Sequence, residues 1–236
     1  MENEMTSRTA GLIGNEAVSF LHSANILVAG IGGVGGFAAE CLVRCGVGRI
    51  TFCDGDKVEL SNCNRQLVAL ASTVGEFKAD VMCRRAAEIF PGGDFNAVNK
   101  FITPESAADL VQGFDLVVDC IDDIPAKTAL AAACISAGIP IVSSMGAAGR
   151  LDPTAVRCAD IADTTNCPLA KALRRALKEK NITSGILAVY SIEKNQPRPE
   201  KGRGVLASIS PVVGAFGCAV AGAAVKTLLR IFTSGR

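Results

Sequence analysis

Five glycines, Gly30, Gly32, Gly33, Gly35 and Gly36, crowd into seven residues. They are followed in order by Asp54, by Asn62, Asn64, Arg65 and Gln66, by Lys78 and by Asp122. A glycine-rich turn between a strand and a helix lets the backbone approach a phosphate. The free N–H groups at the helix start and the positive end of its dipole then hold the anion. Such dipole contacts are worth about 0.3–1 kcal/mol each, so the turn orients phosphates more than it supplies affinity. Asp54 directly follows a short apolar run, where a carboxylate accepts hydrogen bonds from a ribose. That much fits a dinucleotide as well as ATP.

The choice between them rests on the next segment. A nicotinamide enzyme has no task for Asn62, Asn64 and Arg65 there, whereas a triphosphate does. Arginine keeps its charge and presents a planar fork to phosphate oxygens, so Arg65 can stabilise a leaving pyrophosphate. Lys78, at the start of a helix, adds a point charge. Taken singly, Arg65 could be a surface ion-pair former and Lys78 a solvated helix residue. The run Asp119-Cys-Ile-Asp122-Asp123 ends another strand, and a carboxylate there can hold Mg²⁺ against phosphates. Asp122 is the choice for that role, while Asp123, just before Pro125, reads as a helix N-cap.

The elements that must position these residues follow from periodicity. Residues 26–30 read as a buried strand, 37–45 as a helix, 49–53 as a strand and 78–90 as a helix stopped by Pro91-Gly92-Gly93. Residues 114–120, 126–137 and 139–143 continue as apolar run, helix and strand. Beyond Gly149, strands are expected at 154–158 and 186–191, helices at 169–180 and over the last 25 residues, and an exposed loop over 193–204. The expected fold is α/β: a doubly wound, Rossmann-like, mostly parallel sheet with helices on both faces and a C-terminal α+β portion. One domain is expected over 1–236, with an ATP-binding portion at about 25–150 and a substrate and dimer portion at about 151–236.

Composition narrows the class. Hydrophobic residues make up 49% but aromatics only 5%, so small aliphatic side chains must fill the core. Ten cysteines without a CxxC pair, and a single histidine, His22, write neither a zinc ribbon nor a thioredoxin-like site. With no charged leader before an apolar core, a cytoplasmic protein with reduced thiols is expected. Residues 205–225 carry no charge, yet Pro211, serines and glycines interrupt them; a buried core or dimer helix is expected rather than stable membrane insertion. His22 reads as structural.

Net charge is +1, but it is unevenly spread. Residues 164–204 hold nine Lys or Arg and three Glu, leaving the rest of the chain net acidic. Lys171, Arg174, Arg175 and Lys178 fall at i, i+3, i+4, i+7 on one helix face, with Leu169, Leu173 and Ala176 on the other. Such a stripe suits an RNA backbone, though a solvated amphipathic face is the commoner meaning.

The ordered set of glycine turn, Asp54, Asn62-x-Asn64-Arg65-Gln66, Lys78 and Asp122 resembles the ubiquitin-activating-enzyme-like superfamily, which includes the sulfur-carrier-protein adenylyltransferases. The resemblance runs from Arg8-Thr9 to about Leu229. It implies ATP as substrate, with Asp54 on the ribose, Asn62, Arg65 and Lys78 on the phosphates and Asp122 on the metal or triphosphate. It also implies a homodimer in which Arg8 reaches the neighbouring subunit's ATP site.

Within the superfamily the chain is most similar to the tRNA threonylcarbamoyladenosine dehydratase branch. The segments carrying that similarity are Val142-Ser-Ser-Met-Gly-Ala-Ala-Gly149, Asp152-Pro153-Thr154, Pro168-Leu169-Ala170 and Val189-Tyr-Ser-Ile-Glu193. This implies a tRNA substrate, whose threonyl carboxylate is adenylated and closed into a ring, and a possible sulfur-transfer protein partner. The alternative is an adenylyltransferase acting on the C-terminal glycine of a ubiquitin-like sulfur carrier. Relatives also use cysteine intermediates, and Cys167 sits at a helix start where thiolates are stabilised; its other reading is a small capping or buried residue.

Overall fold

The computed structural model describes residues 2–196 and 207–234. Three short helices, α1 (Glu2–Met5), α2 (Ser7–Ile13) and α3 (Asn15–Ser23), lead into β1 (Asn25–Ala29). Then follow α4 (Gly33–Arg44), β2 (Arg49–Cys53), α5 (Lys78–Ile89), β3 (Asp94–Val98), α6 (Ala107–Leu110), β4 (Leu116–Asp119), α7 (Ile124–Ala137) and β5 (Ile141–Ser144). The chain continues through β6 (Val156–Asp160), α8 (Pro168–Lys178), β7 (Leu187–Ser191) and α9 (Ser210–Ser234). Of the loop expected over 193–204 and the basic residues counted within it, Arg198, Lys201 and Arg203 lie outside the described residues.

All seven strands form one sheet in the order β3-β2-β1-β4-β5-β7-β6, parallel except for the antiparallel β6–β7 edge. The expected mostly parallel, doubly wound sheet is therefore the observed one. Ile26 to Ala29 are fully buried because helices cover both faces, so β1 reads as a continuous apolar run rather than an alternating one. One apolar layer gathers Leu42, Met82, Phe216 and Val220 on the face carrying α4, α5 and α9; the other gathers Leu130, Leu173 and Ile186 around α7 and α8.

Helix α7 shows how local sequence sets the bounds. Asp123 accepts a hydrogen bond from the Ala126 N–H at 3.0 Å, as expected of an N-cap, Pro125 occupies the first turn, and Gly138 closes the helix with φ +69°. Helix α9 is long and apolar enough to cross a membrane by composition alone, but half of its most apolar window is buried. It lies against α4 so closely that a side chain at Gly217 would stand 2.8 Å from the Val34 carbonyl oxygen.

Candidate nucleotide and acyl-transfer site

Chain direction brings the site together. Strands β1 and β4 are neighbours that lead to helices on opposite sides, so a crevice opens at their carboxyl ends. Ala29 is in register with Asp119, and the ends are tied by hydrogen bonds from Cys120 N to Ala29 O (2.7 Å) and from Gly30 N to Cys53 O (2.8 Å). Gly30 has φ +86°, and a Cβ there would lie 2.9 Å from the Cys120 carbonyl; a Cβ at Gly35 would lie 1.8 Å from the Gly30 oxygen. Only glycine lets the turn fold this tightly under the start of α4.

A cavity of about 880 Å³ fills the crevice. Gly30, Gly32, Gly33, Asp54, Asn62, Arg65, Lys78 and Asp122 line it, as does Gln66. Asp54 is fixed by the Ile31 N–H (2.6 Å) and the Asp56 N–H (2.8 Å). Burial raises its pKa above the ordinary carboxylate value, although those bonds and Lys78 pull the other way. The Lys78 ammonium is buried and rests on the Asp56 carboxylate at 2.7 Å. The Arg65 guanidinium donates to the Ser61 carbonyl (3.1 Å) and to Asn64 Oδ1 (2.9 Å). Asp122 is exposed and makes no hydrogen bond or ion pair among the described residues.

Two expected contacts are displaced by one layer. Asn64 does not line the cavity: it accepts from Arg65 and donates to the Ser208 carbonyl at 3.1 Å, so it aims the arginine. Gly35 also lies outside the wall, packed on Gly30. Asn62 lines the wall, but its amide is engaged with Glu59 N (3.1 Å) and Ser61 Oγ (3.3 Å). Arg8 is exposed on α2 and is not part of its own chain's cavity.

The basic stripe needs a correction. Lys171, Arg175 and Lys178 are exposed on α8, but Arg174 is half-buried and donates to the Thr164 and Ile161 carbonyls at 3.0 and 3.3 Å. It fastens a turn because three carbonyl and hydroxyl acceptors lie within its reach. Ala170, Leu173 and Leu177 form the buried stripe, while Ala176 and Leu169 are half-exposed.

Sequence reasoning also missed residues. Lys100, Phe101 and Ile102, after β3, line the cavity, and so do Met145 to Ala148 after β5. Below the Asp122 loop, Lys127 and Asp119 form a completely buried pair at 2.8 Å. Lys127 also donates to the Ile121 carbonyl (2.9 Å), and Asp119 accepts from Ile121 N (3.1 Å) and Ser143 Oγ (2.7 Å). Both polar groups of Ile121 are thus pinned one residue before Asp122. A lysine inside an otherwise apolar helix near Asp119 was the available signal.

The thiols offer little nucleophilic chemistry at this site. The Cys120 thiol is pushed up to about 12 by burial, with Asp119 adding to the rise, so it holds its proton at neutral pH. Cys167 stands at the N-cap position of α8 but makes no capping bond, is buried, and lies outside the cavity wall. His22 closes α3, its ring 5.2 Å from that of Phe90, away from the site. Among the described residues no group of three His, Cys, Asp or Glu could hold a metal by itself. A lone carboxylate such as Asp122 fits Mg²⁺ that takes its other ligands from phosphates and water.

A glycine turn at the switch point, with a carboxylate, an arginine and a lysine lining the same crevice, is the arrangement of a nucleotide-binding α/β fold. The chain belongs to the ThiF family, whose model matches residues 6–235. Among curated relatives, the tRNA threonylcarbamoyladenosine dehydratase of Bacillus subtilis (strain 168) is 43% identical over 188 residues, 79% of this chain and 74% of the relative. That of Escherichia coli (strain K12) is 44% identical over 171 residues, 72% of this chain and 64% of the relative. Structures of the E. coli tRNA N6-threonylcarbamoyladenosine dehydratase in complex with ATP and with AMP superpose with TM-scores of 0.92 and 0.93. Each is 35% identical and covers 98% of this chain and 96% of the other.

Proposed function

We propose that this chain is an ATP-dependent enzyme that cyclises threonylcarbamoyladenosine in tRNA. The observation that carries the reading is that Gly32, Gly33, Asp54, Arg65, Lys78 and Asp122 line one cavity, in a chain so similar to dehydratases of that name. In this reading a threonyl carboxylate oxygen attacks the α-phosphorus of ATP, forming the acyl–O–P link as the bond to pyrophosphate breaks. The carbamoyl nitrogen then bonds to the acyl carbon and loses its proton, and AMP leaves with the former carboxylate oxygen. Holding nitrogen and acyl carbon in one molecule supplies about 7–11 kcal/mol of the barrier.

The assigned roles follow the chemistry. Gly32 and Gly33 seat the phosphates and Asp54 the ribose; Arg65, aimed by Asn64, and Lys78 neutralise the departing pyrophosphate. Asp122 would hold Mg²⁺, which neutralises phosphate charge when bound. Lys171, Arg175 and Lys178 form the tRNA-facing patch, with Arg174 supporting the turn beside it. The exposed position of Arg8, and the small apolar side of α9 around Cys218 and Gly222, support a homodimer. The 25–150 portion then serves ATP and the 151–236 portion substrate and dimer, in the cytoplasm, with a sulfur-transfer protein as a possible partner.

The deciding experiment is nucleoside mass spectrometry of tRNA bearing threonylcarbamoyladenosine after incubation with the protein, ATP and Mg²⁺. The expected result is ATP-dependent loss of one water, abolished in Arg65→Ala and Asp122→Ala variants that remain folded. No loss of water, with ATP and tRNA binding both confirmed, would overturn the reading and turn the search to a Gly-Gly-tailed protein.

A further inference from the structure

The loop after β5 has an unusual hydrogen-bond balance. Met145 N donates to the Val189 carbonyl (2.7 Å) and Gly149 N to the Ala207 carbonyl (2.8 Å). Between them, the N–H groups of Gly146, Ala147 and Ala148 donate to no protein group among the described residues. All three residues line the cavity that also holds the glycine turn, and Ala147 is buried. A buried N–H without a partner is costly, and consecutive amides without a protein partner in residues that line one cavity suit an acceptor placed there.

Behind the loop stands Arg150, 2% exposed. Its Nε donates to the Gly146 carbonyl (3.0 Å), its two terminal nitrogens to the carbonyls of Glu193 and Asn166, and among the described residues no carboxylate pairs with it. The carboxylate of Glu193, whose own carbonyl Arg150 holds, is occupied by Leu151 N (3.1 Å), Asp152 N (2.9 Å) and Gln196 Nε2 (2.9 Å). A guanidinium buried without a counter-charge leaves positive potential that an anion in the adjoining cavity would offset. The Gly146 carbonyl and the Ala147 N–H belong to one trans peptide and point in opposite directions. A charged donor on the carbonyl therefore polarises an N–H aimed away from Arg150, on the cavity side.

From this geometry we infer that the Ala147 and Ala148 amides, polarised by the positioning residue Arg150, form the oxyanion site for the acyl group of the substrate. The inference rests on the proposed acyl-adenylate reaction. During ring closure, attack of the carbamoyl nitrogen moves the electron pair of the acyl C=O onto oxygen. Expulsion of AMP returns that pair as the C–O(P) bond breaks. Preset donors facing this oxygen are stronger partners for the tetrahedral species than for either carbonyl form.

The test removes one donor. Ala147 is outside the left-handed region and follows a glycine, and proline there deletes an N–H that no protein group accepts among the described residues. With threonylcarbamoyladenosine tRNA as substrate, Ala147→Pro should lower kcat roughly 10²-fold, leaving ATP affinity by calorimetry unchanged. Arg150→Lys, which keeps the charge but not the three-way reach, should lower kcat about tenfold with ATP affinity retained. This variant carries the test if the proline variant does not fold. A merely structural role would lower the melting temperature and ATP affinity without a selective fall in kcat. Wild-type kcat in both folded variants would overturn the inference alone. A parallel loss of ATP affinity would reassign the amides to a phosphate and overturn it too. An inactive parent protein would overturn this inference and the proposed function together.

Discussion

One lysine–aspartate pair lies in the crevice and another is buried below the Asp122 loop that lines it, and their surroundings give them opposite tasks. Lys127 and Asp119 are both wholly buried, 2.8 Å apart, with further hydrogen bonds from Lys127 to Ile121 and to Asp119 from Ile121 and Ser143. Lys78 and Asp56 are 2.7 Å apart, but the Asp56 side chain is 53% exposed and both residues line the cavity. The closed pair is out of reach of a ligand and fixes backbone; the open pair can be exchanged for a ligand. Proximity of opposite charges is the same in both. Access to water and substrate decides whether a pair is scaffold or reagent.

Breaking the closed pair should have the largest effect. Lys127→Met leaves a buried carboxylate without its counter-charge, and should destabilise the fold by about 3–5 kcal/mol in denaturant unfolding. The double variant Asp119→Asn, Lys127→Met should recover much of that loss, because no bare charge remains. A Lys127→Met midpoint equal to the parent's would show that the pair holds nothing. Next in size is the open pair. Lys78→Met should leave the unfolding midpoint within about 1 kcal/mol, since Asp56 stays solvated, while AMP transfer falls by roughly 10²–10³-fold. Equal losses of stability in the two lysine variants would erase the distinction.

The crevice was legible in the sequence and the buried support below it was not. Gly30 to Gly36, Asp54 and Asp122 advertise themselves because a polar or glycine residue directly after an apolar run has few structural reasons to be there, and Arg65 and Lys78 by standing in order with them. Lys127 drew no notice, since its burial depends on its packing against Asp119 and Ile121 at the end of β4. Arg174 read as part of an exposed basic stripe suited to RNA for the same reason: its partners, Ile161 and Thr164, become neighbours only after α8 docks. Strand β3 escaped notice because Phe95 and Ala97 of Asp-Phe-Asn-Ala-Val, which pack on the core, are only half-buried at the sheet edge, too short an alternation to stand out. The role of Arg150 needs three loops to converge on it, a fact of tertiary structure with no local signature.

The smallest effect is also the most discriminating. If Asp56 is a parking place for Lys78, ATP must displace it, and the ion pair it breaks is worth up to about 1 kcal/mol at a half-exposed site. Asp56→Asn keeps the shape, and the main-chain bonds from Asp56 N to Asp54 and from Lys78 N to the Asp56 carbonyl do not involve the changed atoms. Removing the charge frees the ammonium and takes a negative group away from the triphosphate, so both consequences have the same sign. Calorimetry should show ATP binding tightened by up to about fivefold, with AMP transfer retained. Weaker binding would mean that Asp56 touches the nucleotide directly, placing both members of the open pair on the ligand rather than one in reserve for it.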